Sequence, residues 1–374
     1  MLTNHSRRHA LTTAIAVLVT SAFGVPGAAA RPSVDDDQLI LVREAMQLVR
    51  AVGDDVWRGW AQMPKTTLII APDREYLLNF PRGTEPPPAF APTDQRFMGL
   101  SVYSRPRTLP SALRAAFPID GVPVAVIGAW RADVESPNEW VVGLVEQWFH
   151  LLQLHHGEQE KVAELNLGGS RAESWQINYE FPFDDPDVGN AMLLLGQSLY
   201  DFWTTGASLP RAGQRAFLAA TASAALQNLR VVVTLKHGKE AYEYFQLQTW
   251  RTGIARYSSI LAARAVARAE VLNEYERTAG FDRLEQHKSY AALWEENLSH
   301  RFWLIRTAGL KGERDRTSFD AIGHGIAELL DVLGFDWKEH YFDRGVWLDD
   351  LVATGMTLDI SDTPKRANAR RQNH

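Results

Sequence analysis

Residues 136–157 read SPNEWVVGLVEQWFHLLQLHHG, and the five central residues Glu146-Gln147-Trp148-Phe149-His150 decide how the chain is read. Ser136 suits an N-cap, Pro137 the first helical position, and Glu139 completes a capping box. Gly157 is placed to stop the helix, and His155 and His156 fall where cations favour a C-terminal dipole. These signals predict a helix over 137–156. Its surface is apolar nearly all round, from Trp140, Val141, Val142, Leu144, Val145, Trp148, Phe149, Leu151, Leu152 and Leu154. Such a helix is buried. Yet Glu139, Glu146, His150 and Gln153 form a polar stripe at near-helical spacing, with Gln147 beside it. Buried polar groups cost several kcal/mol unless they are paired or ligate something. Glu146 and His150 are therefore expected to face each other, a metal or a cleft. The plainer alternative is an exposed i,i+4 Glu–His pair, worth only ~0.2–0.5 kcal/mol.

Strand signals precede this helix. Thr66–Ala71 (TTLIIA) and Tyr76–Phe80 (YLLNF) flank Pro72-Asp73, which reads as a hairpin turn. Residues 81–95, rich in Pro and polar groups, read as a loop. Phe97–Tyr103 and Pro123–Ala129 bring the count to about four strands. Before them, Ser33 and Asp36 open a first helix over about 34–61. Its apolar stripe runs Leu39, Val42, Met46, Val49, Val52, Val56, Trp60, and Pro64 is its stop. After the central helix the pattern turns helical: 184–203, 210–235, 239–276, 283–308 and 317–334. Strands first and helices after predict an α+β fold, a small mixed sheet in the N-terminal third followed by a mostly helical lobe.

Ser6-Arg7-Arg8-His9-Ala10-Leu11-Thr12 is a twin-arginine stretch, followed by a weakly apolar run to Phe23 and a small-residue site at Ala28-Ala29-Ala30. Residues 1–30 are expected to be a Tat-type signal peptide, or a Sec signal with adjacent arginines, giving a periplasmic or extracellular protein. The expected parts are then residues 31–136, a helix plus β-sheet, and residues 137–374, the central helix plus a helical subdomain. Residues 1–30 hold two Arg and no acid, so the charge of −6 for the whole chain becomes −8 for the remainder. That balance gives no sign of a nucleic-acid partner. No membrane span is expected after the signal. With no Cys, disulfides and thiolate metal sites are excluded, and any metal would rest on His and carboxylate.

A zinc hydrolase of the HExxH type uses two His one helical turn apart, with a Glu beside the first to activate water. The order strand, loop, helix puts EQWFH where that motif would lie. The chain resembles zincin-like metallopeptidase-fold proteins of the gluzincin type, in particular a group of exported bacterial proteins. Glu146–Gln153 (EQWFHLLQ), Trp175–Phe183 (WQINYEFPF) and Phe245–Ser259 (FQLQTWRTGIARYSS) carry the resemblance. Trp337–Phe342 (WKEHYF) adds to it. The resemblance implies a metal site on this helix, and the sequence departs from it. Glu146 stands where the first ligand His would be, Gln147 where the catalytic Glu would be, Thr252 where the third ligand Glu would be, and Ser259 at a further Glu. His150 alone is kept. Gln147 cannot take a proton from water, and a lost general base costs ~10²–10⁴-fold in rate.

Glu296–His300 and His324–Glu328 are further i,i+4 pairs. There is no Glu-x-x-His pair for a di-iron bundle, no G-x-S-x-G elbow and no P-loop. Arg256, Tyr257 and Trp250 are candidates to line a cleft, Tyr257 as an oxyanion stabiliser, with core packing the plainer role for Trp250 and Tyr257. The aromatic run Trp175, Tyr179, Phe181, Phe183 reads as packing on the central helix rather than as a ligand platform. The expectation is an exported zincin-like protein with a degraded motif, a non-peptidase binding or structural module. No cofactor is expected, and its partner would be a small molecule, peptide or envelope component. The alternative is a metal-dependent hydrolase in which Glu146 and His150 hold zinc or another divalent metal with a third ligand from elsewhere, and Gln147 orients substrate or water. A cell-envelope ligand binder with a Trp-rich cleft is a third reading.

Overall fold

The computed structural model describes residues 32–132, 136–165, 167, 179–206, 212–293, 304–307 and 317–357. The expected signal segment, residues 175–178 of the aromatic run, and the Glu296–His300 pair lie outside the described residues. Ser33–His374 is one compact unit, holding the sheet and the helices together.

Helix α1 (Asp36–Val56) starts where the Asp35 carboxylate accepts the Asp37 N–H at 3.1 Å. It ends at Val56, well before Pro64, which corrects the expected end near 61. Trp57 leaves the helix with extended backbone. Its ring is drawn into an aromatic cluster, 5.2 Å from Phe149 and 5.0 Å from Tyr341, and its Nε1 donates to Ser258 Oγ at 2.7 Å. Burying one large aromatic among others outweighs another helical turn.

Among the described residues six strands follow, against the expected four or so: β1 (Thr67–Ile70), β2 (Arg74–Leu78), β3 (Ala91–Phe97), β4 (Leu100–Pro106), β5 (Ala115–Ile119) and β6 (Val122–Gly128). Their order is β3-β4-β2-β1-β6-β5, with β1 and β6 parallel and every other pair antiparallel. The sheet is mixed, as expected, and lies in the N-terminal third. β1 is buried along its whole length, which explains its unbroken apolar run TLII. Ile69, Leu78, Ala125 and Ile127 face the helices, while Leu68, Ile70, Leu77, Val124 and Val126 form a second core layer with Phe90.

Helix α2 (Pro137–His155) packs on β5 and β6. Trp140 Nε1 donates to Gly128 O at 2.8 Å and Trp148 Nε1 to Thr67 Oγ1 at 3.0 Å, which ties the helix to the two parallel strands. The expected capping box is present: Glu139 N–H donates to Ser136 Oγ at 3.3 Å, and Ser136 N–H to Glu139 Oε2 at 3.0 Å. After it come α3 (Glu158–Ala163), α4 (Pro186–Gly206), α5 (Ala212–His237), α6 (Lys239–Gln248), a π-helical turn (Thr249–Gly253), α7 (Ile254–Val271), α8 (Thr317–Leu333), α9 (Trp337–His340) and α10 (Leu348–Thr357). The helix expected over 239–276 is therefore interrupted by a π turn and stops at Val271. By length and composition alone Ala216–His237, at mean hydropathy 1.4, is long and apolar enough to cross a membrane. Here it packs against α4, α6 and α10, and Ala219, Ala222, Leu226, Leu229 and Val233 are buried.

Candidate functional site

α2 and α7 pack together, and both rest on α1. This brings the polar stripe of α2 against the π turn and the start of α7. Glu146 and His150 of the stripe take different partners. Glu146 Oε2 accepts from Arg256 Nη1 at 2.9 Å, with the Glu146 side chain 17% exposed. His150 turns the other way and is buried, its Nδ1 2.6 Å from Gln153 Oε1. Gln147 is buried beside them.

Gln153 fixes the state of His150. Its Nε2 donates to Arg251 O at 2.9 Å and Tyr341 Oη at 2.7 Å, and approaches Trp250 O at 3.3 Å. With the amide nitrogen committed to carbonyls, Oε1 is the acceptor, so Nδ1 of His150 carries the proton and Nε2 keeps its lone pair. Burial pushes the imidazole down to about 3, the nearby Arg251 guanidinium pushes the same way, and the Gln153 hydrogen bond opposes them. The ring is therefore neutral at physiological pH, and too weak a base for general-base work there.

The carbonyls reached by Gln153 belong to the π turn. A π turn leaves backbone carbonyls without their ordinary helical partners. Here Gln153 and the Tyr341 hydroxyl, which donates to Trp250 O at 2.6 Å, supply replacements. Trp250 Nε1 returns a bond to Tyr341 O at 3.0 Å, and the two rings stack at 4.9 Å. Thr252 stands on this same turn, its hydroxyl donating back to Gln248 O at 2.8 Å. Ser259 is fully buried and donates to Arg256 O at 3.0 Å. Arg251 is ion-paired to the buried Glu158 of α3.

Tyr257 belongs to a neighbouring network. Its hydroxyl donates to Asp331 Oδ2 at 2.5 Å, and Asp331 also accepts from Trp337 Nε1 at 2.9 Å. Burial, then the Asp331 charge, holds the phenol well above its ordinary value. Burial also raises the Asp331 carboxyl, against the pull of Lys338 and Tyr257. His324 Nε2 lies 3.4 Å from Glu328 Oε1, an i,i+4 pair as spaced in the sequence, and its ring is 5.9 Å from that of Tyr257.

A zinc site takes three or four donors with free lone pairs. Among the described residues no group of three His, Asp or Glu could hold a metal ion. Two guanidiniums stand on the site as well, Arg256 on Glu146 and Arg251 beside His150. A divalent cation would meet their repulsion. The described residues do not fit a metal centre. Sequence reasoning placed Arg256 near the cleft, but it missed Gln153 as the hub, and Arg251, Glu158 and Tyr341 as its surroundings. The signal for Tyr341 was the WKEHYF stretch, which carries no chemistry of its own.

No family model, curated protein or solved structure matches the chain.

Proposed function

We propose that this is an exported, zincin-like protein whose HExxH frame has been rebuilt as an ion pair and an amide network, and that it acts as a binding or structural module and not as a peptidase. The Glu146–Arg256 pair at 2.9 Å carries the reading. In it a guanidinium occupies the carboxylate that a metal would need. The placement of EQWFH on a buried helix, with Thr252 on the turn that Gln153 touches, supports the zincin-like frame. The locked, neutral His150 supports a structural role for the imidazole. A ligand of this module would be a small molecule, a peptide or an envelope component.

The test is elemental analysis and peptidase assay of protein beginning near Arg31, expressed with added zinc, iron, manganese and copper. The expected result is no stoichiometric metal and no hydrolysis of casein. One metal per chain, lost together with hydrolysis in His150→Ala, overturns the proposal in favour of a metal-dependent hydrolase.

A further inference from the structure

Away from α2, α1 and the segment Tyr275–Ala279 enclose an open cavity of about 370 Å³. Arg43, Met46, Gln47, Arg50, Met98 and Thr278 line it. Its far wall is held firmly. The buried Glu44 carboxylate accepts from Thr278 N at 2.7 Å, Tyr275 Oη at 2.9 Å and Tyr290 Oη at 3.1 Å. Gln47 Nε2 donates to Glu276 O. The segment is thus fixed to α1 by a charged acceptor with three donors, a strong arrangement in a dry setting.

The charges are unequal in kind. Arg277 is spent on Glu270 at 2.7 Å and Asp282 at 2.5 Å. Arg43 and Arg50 are exposed, and among the described residues neither has a carboxylate partner. Arg43 rests over the Phe97 ring, 5.6 Å from its centroid, which steadies a side chain that is otherwise exposed. Among the described residues Glu276, on the rim, is the one carboxylate lining the cavity, against the two arginines. Seven residues separate the two arginines, so their positions are ~10 Å apart along the helix axis and on one face. Between them lie Met46 and, from the β3–β4 turn, Met98, which is 50% exposed.

The geometry points to a second binding site, for an elongated small molecule with an anionic group at each end and an apolar middle. Each guanidinium takes one carboxylate or phosphate, bidentate where it can. The methionines, adaptable in shape, cover the chain between. A cavity of this size suits a ligand of that class. The site is independent of the proposed role of α2.

The experiment is calorimetric titration at low salt with sebacate, a ten-carbon dicarboxylate, set against decanoate and succinate. Sebacate is expected to bind saturably, and more tightly than either comparison ligand. Arg43→Gln and Arg50→Gln are each expected to weaken it about tenfold, one end of the ligand being lost. Met98→Ser is expected to weaken it less. All three residues are exposed, so circular dichroism melts should match the unsubstituted protein. No saturable sebacate binding, decanoate binding as tight as sebacate, or affinity unchanged in either arginine variant overturns the proposal.

Discussion

Nδ1 of His150 lies 2.6 Å from Oε1 of Gln153, and the amide of the one sets the tautomer of the other. Because Gln153 Nε2 serves the carbonyl of Arg251, the imidazole must donate. The stability of the fold therefore depends on keeping this ring neutral. The unfolded chain takes up the proton near 6.5, the folded chain only near about 3. Between those values the unfolded state binds more protons, so stability falls as pH drops, and the contribution is fully present above pH 6.5. The slope from one such group reaches about 1.4 kcal/mol per pH unit. His150→Gln should flatten the acid limb by about that amount between pH 6 and 4, in urea unfolding compared with the parent protein. Parallel limbs would show that the ring is not held neutral.

Gln153→Glu probes the same hub from the other side. A carboxylate can accept from His150 and Tyr341 but cannot donate to Trp250 O or Arg251 O. Each carbonyl left unsatisfied costs about 1–3 kcal/mol, so a loss of roughly 2 kcal/mol or more is expected in denaturant unfolding. The added negative charge should also draw the His150 imidazole upward, visible in its NMR titration. A loss under about 0.5 kcal/mol would place the π turn's carbonyls with other donors.

How much of this was legible depends on the range of the signal. α2 was read from its own residues because Ser136, Pro137, Glu139 and Gly157 are local signals, and Gly157 does adopt φ 86°, where a side chain would be strained. The sheet was undercounted for a physical reason. β3 is an edge strand with Pro92, Thr93, Asp94 and Gln95 and is largely exposed, so it has no apolar run to detect. Its turn into β4 uses Met98 at φ 51°, a residue that gives no turn signal. β5 carries a local signal, Asp120-Gly121, both at positive φ, a strong hairpin pair. The polar stripe on α2 was legible as a stripe. Its partners Arg256, Trp250 and Tyr341 lie 97 or more residues away along the chain, and nothing local encodes them. The π turn was illegible too, because TWRTG carries no breaker before its last residue.

Gly323 of α8 meets Gly253 of the π turn backbone to backbone. A Cβ on Gly323 would stand 2.4 Å from Thr249 O and 2.7 Å from Gly253 Cα. Backbone cannot yield as a side chain can, so Gly323→Ala should lose about 1–3 kcal/mol, less the ~1 kcal/mol that Ala gains in helix propensity. Gly325→Ala is the control. Its Cβ meets only side-chain atoms, Leu199 at 3.0 Å first, and those can turn aside. Urea midpoints should fall clearly for the first and little for the second. Equal midpoints would mean that the two backbones can move apart at little cost.

The strongest check of the zincin-like frame is to restore what the sequence has replaced. Glu146→His and Gln147→Glu together rewrite the α2 motif, and Thr252→Glu adds a carboxylate on the turn beside Gln153. If the frame is zincin-like, the substituted positions 146 and 252 and the retained His150 supply the three donors that zinc asks for. Arg256 stands in the way, since it now rests on Glu146 at 2.9 Å and would keep its charge near the ion. The triple variant is therefore expected to bind zinc weakly, and the same variant with Arg256→Met about tenfold or more tightly, by equilibrium dialysis. Adding His150→Ala to the quadruple variant should abolish uptake. The unsubstituted protein should take up none. If the quadruple variant keeps its near-ultraviolet dichroism and still binds no zinc, these positions do not converge as a zincin's would. The likeness of EQWFH to a metal-binding helix would then be one of spelling alone.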